Sequence, residues 1–225
     1  MLSTPNTTAL NFIIGADTNL PCCLVHGDTL ELAEPRQNET CVFLGGSRRE
    51  ELAAMSRAIR AKGVVHCVEM SKDVLRDTRA WLNRRGRTNI EYLHSLFEDI
   101  EILDASVDLV VSDCSLALVQ DKRRVMEEVY RILKPKGRFV FNDVVIDFPI
   151  SRHESTSGAS MCQPELITKE AYFDIIEAVG FGGITIIEES VPRQIGAGAG
   201  LRSLTSLVIV GNRPCRDSGP FWSPD

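Results

Sequence analysis

Four clusters of side chains in this sequence have types and spacings suited to holding or transforming a small ligand. The first is Leu44-Gly45-Gly46-Ser47, a glycine pair between a short apolar run and a segment of helical periodicity. A glycine-rich turn lets backbone approach a ligand, and amide groups at a helix N-terminus can meet a carboxylate or phosphate. A plain tight turn is the other reading of the same residues. The second is Glu69, with Met70 beside it, 24 residues after Gly45. A carboxylate has two acceptor oxygens and can take both hydroxyls of a ribose; a solvent-facing glutamate at a strand end is the bland reading. The third is Phe97-Glu98-Asp99, where an acidic side chain can accept from an adenine amino group while apolar neighbours sandwich the ring. It reads equally as a polar loop. The fourth is Ser112-Asp113-Cys114-Ser115, a carboxylate and a thiol side by side at a strand end. A cysteine there is otherwise a small buried hydrophobe.

These clusters need elements to position them, and the sequence supplies an alternating series. Cys41–Leu44 is a buried strand, followed by a helix over Arg48–Ala61 with Leu52, Met55 and Ile59 on one stripe. Val64–Val68 is a second strand. Ser71 caps a helix that carries Val74, Leu75, Thr78 and Leu82 and ends near Arg85-Gly86. Asn89–His94 and Val107–Val111 are further strands, and Asp121 opens a helix striped by Val125, Val129, Ile132 and Leu133, which Pro135-Lys136-Gly137 ends. Arg138–Val145 is a fifth strand, Thr168–Val179 a helix closed by Gly180, and Ile184–Glu188 and Leu204–Val210 complete seven strands. Strands that alternate with helices pair in parallel with right-handed crossovers. The fold class is therefore α/β: a doubly wound, mostly parallel, Rossmann-like sheet, with the last two strands as an antiparallel pair at one edge.

The organisation read from these elements is an irregular segment over 1–39 that covers the active site, one domain over 40–213, and a tail over 214–225. Hydrophobic residues at 44% and charged residues at 25% match an ordinary globular chain. A net charge of -6 offers no footprint for nucleic acid, and Arg84, Arg85 and Arg87 read as a solvated helix end. The absence of a long apolar run or a secretion signal gives the expectation of a cytoplasmic protein with a small-molecule substrate and no membrane or nucleic-acid partner. Seven cysteines without CxxC spacing argue against a disulfide framework and a zinc ribbon. Cys22, Cys23 and His26 lie close enough in sequence for a soft-metal site but more simply have no such role, and no metal is expected. Gly196-Ala197-Gly198-Ala199-Gly200 reads as a flexible connection that can lie over a pocket as a lid.

Together with the helix-to-strand run Leu133-Lys134-Pro135-Lys136-Gly137 after Asp108-Leu109-Val110, these positions resemble the class I S-adenosylmethionine-dependent methyltransferases. The resemblance narrows to the arsenite methyltransferase branch and covers roughly Phe12 to Arg213. Asp104–Asp121 with Ser112-Asp113-Cys114 looks like that branch's D-x-S-V-D-x-V-x-S-N-C pattern, and Asn142-Asp143-Val144-Val145 is similar to its S-D-V-V strand. Cys162 with Leu166–Tyr172 looks like C-x-x-G-A-L-x-x-E-x-Y, and Ser203-Leu204-Thr205 like the final Y-S-V-T strand. The resemblance implies an enzyme with S-adenosylmethionine as cofactor and a small soft acceptor, arsenic(III) or a thiol-containing small molecule. It implies Cys114 and Cys162 on the acceptor side as possible arsenic ligands. Leu44, Gly45, Gly46, Ser47, Glu69, Met70, Phe97, Glu98 and Asp113 would hold the cofactor: Glu69 the ribose, Glu98 or Asp99 the adenine, and the Gly45–Ser47 backbone the methionine part. The sequence departs from the family where Phe43 stands for the aspartate of D-L-G-x-G-x-G and the loop lacks its third glycine. Those departures motivate two other readings: a non-catalytic, methyltransferase-like binding or regulatory protein, and an enzyme that uses the fold for a different reaction.

Overall fold

A computed structural model of the chain describes residues 29–116, 119, 121–147, 166–190, 193–195 and 202–215. Leu10–Ile14, Cys22, Cys23, His26, Cys162 and Gly196–Gly200 lie outside the described residues.

The strands are β1 (Thr40–Leu44), β2 (Val64–Glu69), β3 (Ile90–His94), β4 (Val107–Asp113), β5 (Leu133–Ile146), β6 (Gly182–Glu189), β7 (Arg193–Ile195) and β8 (Arg202–Asn212). The helices are α1 (Thr29–Ala33), α2 (Arg49–Ile59), α3 (Lys72–Asn83), α4 (Lys122–Ile132) and α5 (Lys169–Val179). The sheet runs β3-β2-β1-β4-β5-β8-β6, with short β7 paired to β8. β1 to β5 are parallel, and β8 runs against both β5 and β6. The doubly wound, mostly parallel sheet and its antiparallel pair at one edge are thus as expected, with the reversed strand as the inner member of the pair.

Local chemistry sets the helix ends where the sequence places them. Ser71 accepts from the Val74 N–H, Asp121 from the Arg124 N–H and Thr168 from the Ala171 N–H, each filling an orphan donor of a first turn. Gly180, at φ 105°, closes α5 in the left-handed region. The basic cluster after α3 is the solvated helix end expected: Arg84 and Arg85 are exposed, and the Arg85 guanidinium stacks on the Trp81 ring.

Two expectations need correction. The segment 1–39 is not irregular throughout, because α1 buries Thr29, Leu30 and Ala33 against the sheet. Its last turn is tied down by Arg138, whose guanidinium donates to the Ala33 and Glu34 carbonyls and pairs with Glu39 at 2.7 Å. Nor does Pro135-Lys136-Gly137 lie between helix and strand. Leu133 is already extended (φ -66°, ψ 136°), and a residue before proline, here Lys134, is driven the same way, so β5 begins at once.

The sheet buries both faces. On one face Val42, Leu44, Val68, Val110, Phe139 and Phe141 pack with Val125, Val129 and Ile132 of α4 and Tyr172 and Ile176 of α5. On the other Cys41, Phe43, Cys67, Leu109 and Val111 pack with Leu52, Met55 and Ile59 of α2 and Leu82 of α3. Edge strand β6 alternates half-buried with exposed residues, as one-sided burial requires. No helix among the described residues is long and apolar enough to cross a membrane.

Candidate ligand-binding site

The strand order reverses between β1 and β4, and in an open α/β sheet the crevice beyond the carboxyl ends at that point is where ligands bind. Register brings the candidate residues level there. Leu44 lies opposite Val68 on one side and Ser112 on the other, and Asp113 lies opposite Asn142. Gly45, Glu69 and Asp113 therefore meet at one edge, as the sequence predicts.

The glycine turn is built for close approach. Gly45 has φ 99°, and a Cβ there would overlap Ser115 Oγ and lie 3.0 Å from Ser115 Cβ. Only a glycine lets the turn after β1 touch the turn after β4 in this way. The Gly45 N–H donates to the Val68 carbonyl at 2.8 Å, and the Gly46 N–H donates to Glu69 Oε2 at 2.6 Å. The other Glu69 oxygen, Oε1, accepts from the Ser71 N–H at 2.7 Å. Buried Thr78 of α3 donates its hydroxyl to the Gly46 carbonyl at 2.6 Å. The turn is thus closed by β2 and α3. Its Gly45 and Gly46 amides face β2 rather than the crevice, unlike the backbone cradle expected for Gly45–Ser47. Leu44 is fully buried and Ser47 exposed.

Phe43, the departure from the family pattern, is fully buried in the cluster with Leu52, Met55 and Leu82. Strand alternation sends its ring into the core on the α2 side, where burying a phenylalanine is worth about 1.5–3 kcal/mol. The ring does not occupy the crevice.

Opposite the glycine turn, the Asp113 side chain is 1% exposed and fixed from two directions. Asn142 Nδ2 donates to Oδ1 at 2.9 Å, and Arg48, the residue before α2, places its guanidinium on Oδ2. Arg48 Nε also lies 3.2 Å from Glu51 Oε1. The next residue, Cys114, is buried with φ 56°, a left-handed conformation that costs a non-glycine residue roughly 1–3 kcal/mol. Three links hold this turn. The Cys114 N–H donates to the Asn142 carbonyl at 2.7 Å, Asn142 holds Asp113, and the Lys122 ammonium donates to the Leu116 carbonyl. Lys122 pairs with Asp143 at 3.1 Å, both sides of the pair being buried. Burial and the neighbouring Asp143 raise the Tyr172 hydroxyl's pKa well above its ordinary value.

The third cluster stands beside the second. The Ser95 N–H donates to the Glu69 carbonyl at 3.3 Å, and the Ser95 hydroxyl donates to the Asp99 carbonyl, closing the turn after β3. Phe97 is buried among Leu44 and Val68 beneath the crevice, Glu98 is half-buried and Asp99 exposed. Met70 is half-buried, and its carbonyl lies 3.1 Å from His94 Nε2. Arg48, Thr78, Asn142 and the Lys122–Asp143 pair are the site residues that sequence reasoning did not single out. Asn142 and Asp143 did carry a signal, polar residues inside an otherwise apolar strand.

Two other thiols are set aside by their environment. Burial pushes Cys67 up to about 12, and burial with nearby Glu39 pushes Cys41 up still more strongly. A thiolate is the reactive form, so burial keeps both as unreactive thiols. Iodoacetamide at pH 8 is expected to leave Cys41 and Cys67 unmodified in the folded protein and to label both in denaturant, as peptide mass mapping would read.

A family profile described as a methyltransferase domain matches residues 45–141, from the glycine turn into β5. Over that span, somewhat under half of its length, the chain is similar to methyltransferase domains. Among curated relatives, the arsenite methyltransferase of Halobacterium salinarum is 25% identical over 215 residues, covering 90% of this chain and 53% of that protein. The arsenite methyltransferase of Aquipseudomonas alcaligenes is 34% identical over 111 residues, covering 46% of this chain and 32% of its own. The chain thus spans about half of the first of these relatives and about a third of the second. A ubiquinone/menaquinone biosynthesis C-methyltransferase of Klebsiella pneumoniae also matches, at 27% identity over 128 residues, 55% of this chain and 51% of that protein. Among solved structures, an arsenic(III) S-adenosylmethionine methyltransferase from Chlamydomonas reinhardtii shares the fold with a TM-score of 0.67 at 20% identity, covering 95% of this chain and 76% of that one. The chain is arsenite methyltransferase-like in sequence, and it shares the methyltransferase fold.

Proposed function

We propose that the chain transfers a methyl group from S-adenosylmethionine to a small soft acceptor, arsenic(III) or a thiol-containing small molecule. The observation that carries this reading is the Glu69 carboxylate set against the Gly45–Gly46 turn, with Asp113 and Cys114 directly across the crevice. Glu69 gives two of its roughly four acceptor positions to backbone amides, which leaves two for a pair of ribose hydroxyls. Glu51, Glu69 and Asp113 outnumber Arg48 around the turn, an excess of negative charge that suits a ligand bearing a sulfonium. The chemistry S-adenosylmethionine supplies when bound is an electrophilic methyl on positively charged sulfur. The residues of this chain bind and orient. Glu98 or Asp99 would meet the adenine, and by family resemblance Cys114 would lie on the acceptor side, where thiolates select soft centres. Attack by a lone pair needs in-line placement and dry surroundings rather than a general base.

Cys114 is the residue after Asp113, in a turn held in place against conformational strain, and Cys162 joins it as a second acceptor ligand by family resemblance. The test is direct: the chain with S-adenosylmethionine and arsenite plus a monothiol is expected to give methylated arsenic. Cys114→Ser and Cys162→Ser are each expected to weaken arsenic(III) binding by at least about tenfold, the loss that even an outer partner of a metal site brings. Unchanged affinity in both variants would remove arsenic as the acceptor.

A further inference from the structure

We infer that Arg48 is the specificity residue for the amino-acid end of the cofactor, swinging from Asp113 to receive its carboxylate while Asp113, fixed in place, receives its ammonium. This rests on the reading that the crevice binds S-adenosylmethionine. Three observations lead to it. The first is the position of the Arg48–Asp113 pair. Arg48 stands three residues after Gly45 and reaches across the switch point from the β1 side to the end of β4, where Nε and Nη2 both engage Asp113 Oδ2. An ion pair therefore occupies the crevice itself.

The second is that the amides of Gly45 and Gly46 are already taken, by the Val68 carbonyl and by Glu69. A ligand carboxylate finds no donor in them, whereas a guanidinium offers a planar fork that matches a carboxylate. The third is the asymmetry of the pair. Asp113 is buried, and its Oδ1 is fixed by Asn142, while the Arg48 side chain is 32% exposed. Arg48 can turn; Asp113 cannot. A buried carboxylate always needs a compensating cation, and the ammonium of an α-amino acid supplies one when Arg48 leaves. One ion pair becomes two, with charge balanced throughout: Arg48 to the ligand carboxylate and Asp113 to its ammonium.

The prediction is selectivity for the intact amino-acid end. Calorimetric titrations of the full chain with S-adenosylhomocysteine and with 5′-methylthioadenosine, which lacks that end, read it directly. R48Q is expected to weaken S-adenosylhomocysteine at least about tenfold and to leave methylthioadenosine within about twofold, with R48K recovering part of the loss. The double variant R48Q/D113N leaves no buried unpaired charge, so it should fold, and it is expected to show the same selective loss. S-adenosylhomocysteine binding that is unchanged or tighter in R48Q overturns the assignment, as does an equal loss for both ligands. Wild-type protein that binds both ligands equally well also overturns it. Wild-type protein that binds neither at millimolar concentration overturns the cofactor reading, and this one with it.

Discussion

Lys122→Met is expected to lower folding stability by about 3–5 kcal/mol, because it leaves the Asp143 carboxylate buried without its partner. Asp143 is fully buried within β5, and the Lys122 ammonium 3.1 Å away is its counter-ion. A domain of ordinary stability has about 5–15 kcal/mol to lose, so this one change removes a large share. The pair as a whole need not be stabilising, since a buried ion pair often exchanges for apolar residues without loss. The double variant Lys122→Met/Asp143→Leu is accordingly expected to regain most of the stability, as urea midpoints at constant slope would read. What it does not regain is the ammonium donor to the Leu116 carbonyl. The turn bearing Cys114 then lacks one of its three links, so the double variant separates stability from the placement of that thiol.

Glu69→Ala is expected to be the most damaging single change to cofactor binding, lowering affinity by roughly a hundredfold or more. Glu69 does two things at once. It closes the glycine turn through the Gly46 amide and the start of α3 through the Ser71 amide, and it offers its remaining lone pairs to the crevice. Hydrogen bonds to a charged group contribute about 1.5–3 kcal/mol each, so losing the ligand's share alone approaches a hundredfold. Removing the backbone contacts lowers folding stability as well, by about 2 kcal/mol given the partial exposure of the site. Glu69→Gln keeps one acceptor oxygen but turns an N–H₂ toward one of the two amides. Its affinity is expected to fall between those of wild type and Glu69→Ala. A Glu69→Ala variant with wild-type affinity would remove Glu69 from the site.

Much of the fold is legible in the sequence because local rules and the global fold agree there. Ser71, Asp121, Thr168 and Gly180 each carry the side chain or conformational freedom that their position demands. Strand patterning places β1 to β5 for the same reason. Helix α1 is obscured by shortness: five described residues give too little periodicity to separate from the polar segment around them. Phe43 shows a different limit. Its position marks it as a departure from the family pattern, but only the sheet reveals that it faces α2 while Leu44 faces the other layer. The non-catalytic reading leaned on Phe43, and that support falls away once the ring lies in the core.

The site divides along the same line. Gly45, Glu69 and Asp113 are legible because strand ends collect at the switch point whatever the loops do. Arg48 is not, because its partner lies 65 residues away and nothing local distinguishes it from a helix-start arginine. The inward direction of the Gly45 and Gly46 amides is also set by tertiary structure, through Val68 and Glu69. A missing third glycine is therefore no measure of how this turn is held, since its Gly45 and Gly46 amides are taken by Val68 and Glu69.

Whether this crevice holds S-adenosylmethionine is decided by calorimetric titration of the chain with that ligand. Saturable one-to-one binding that weakens sharply in Glu69→Ala is expected. Wild-type protein with no heat of binding at millimolar ligand would contradict it.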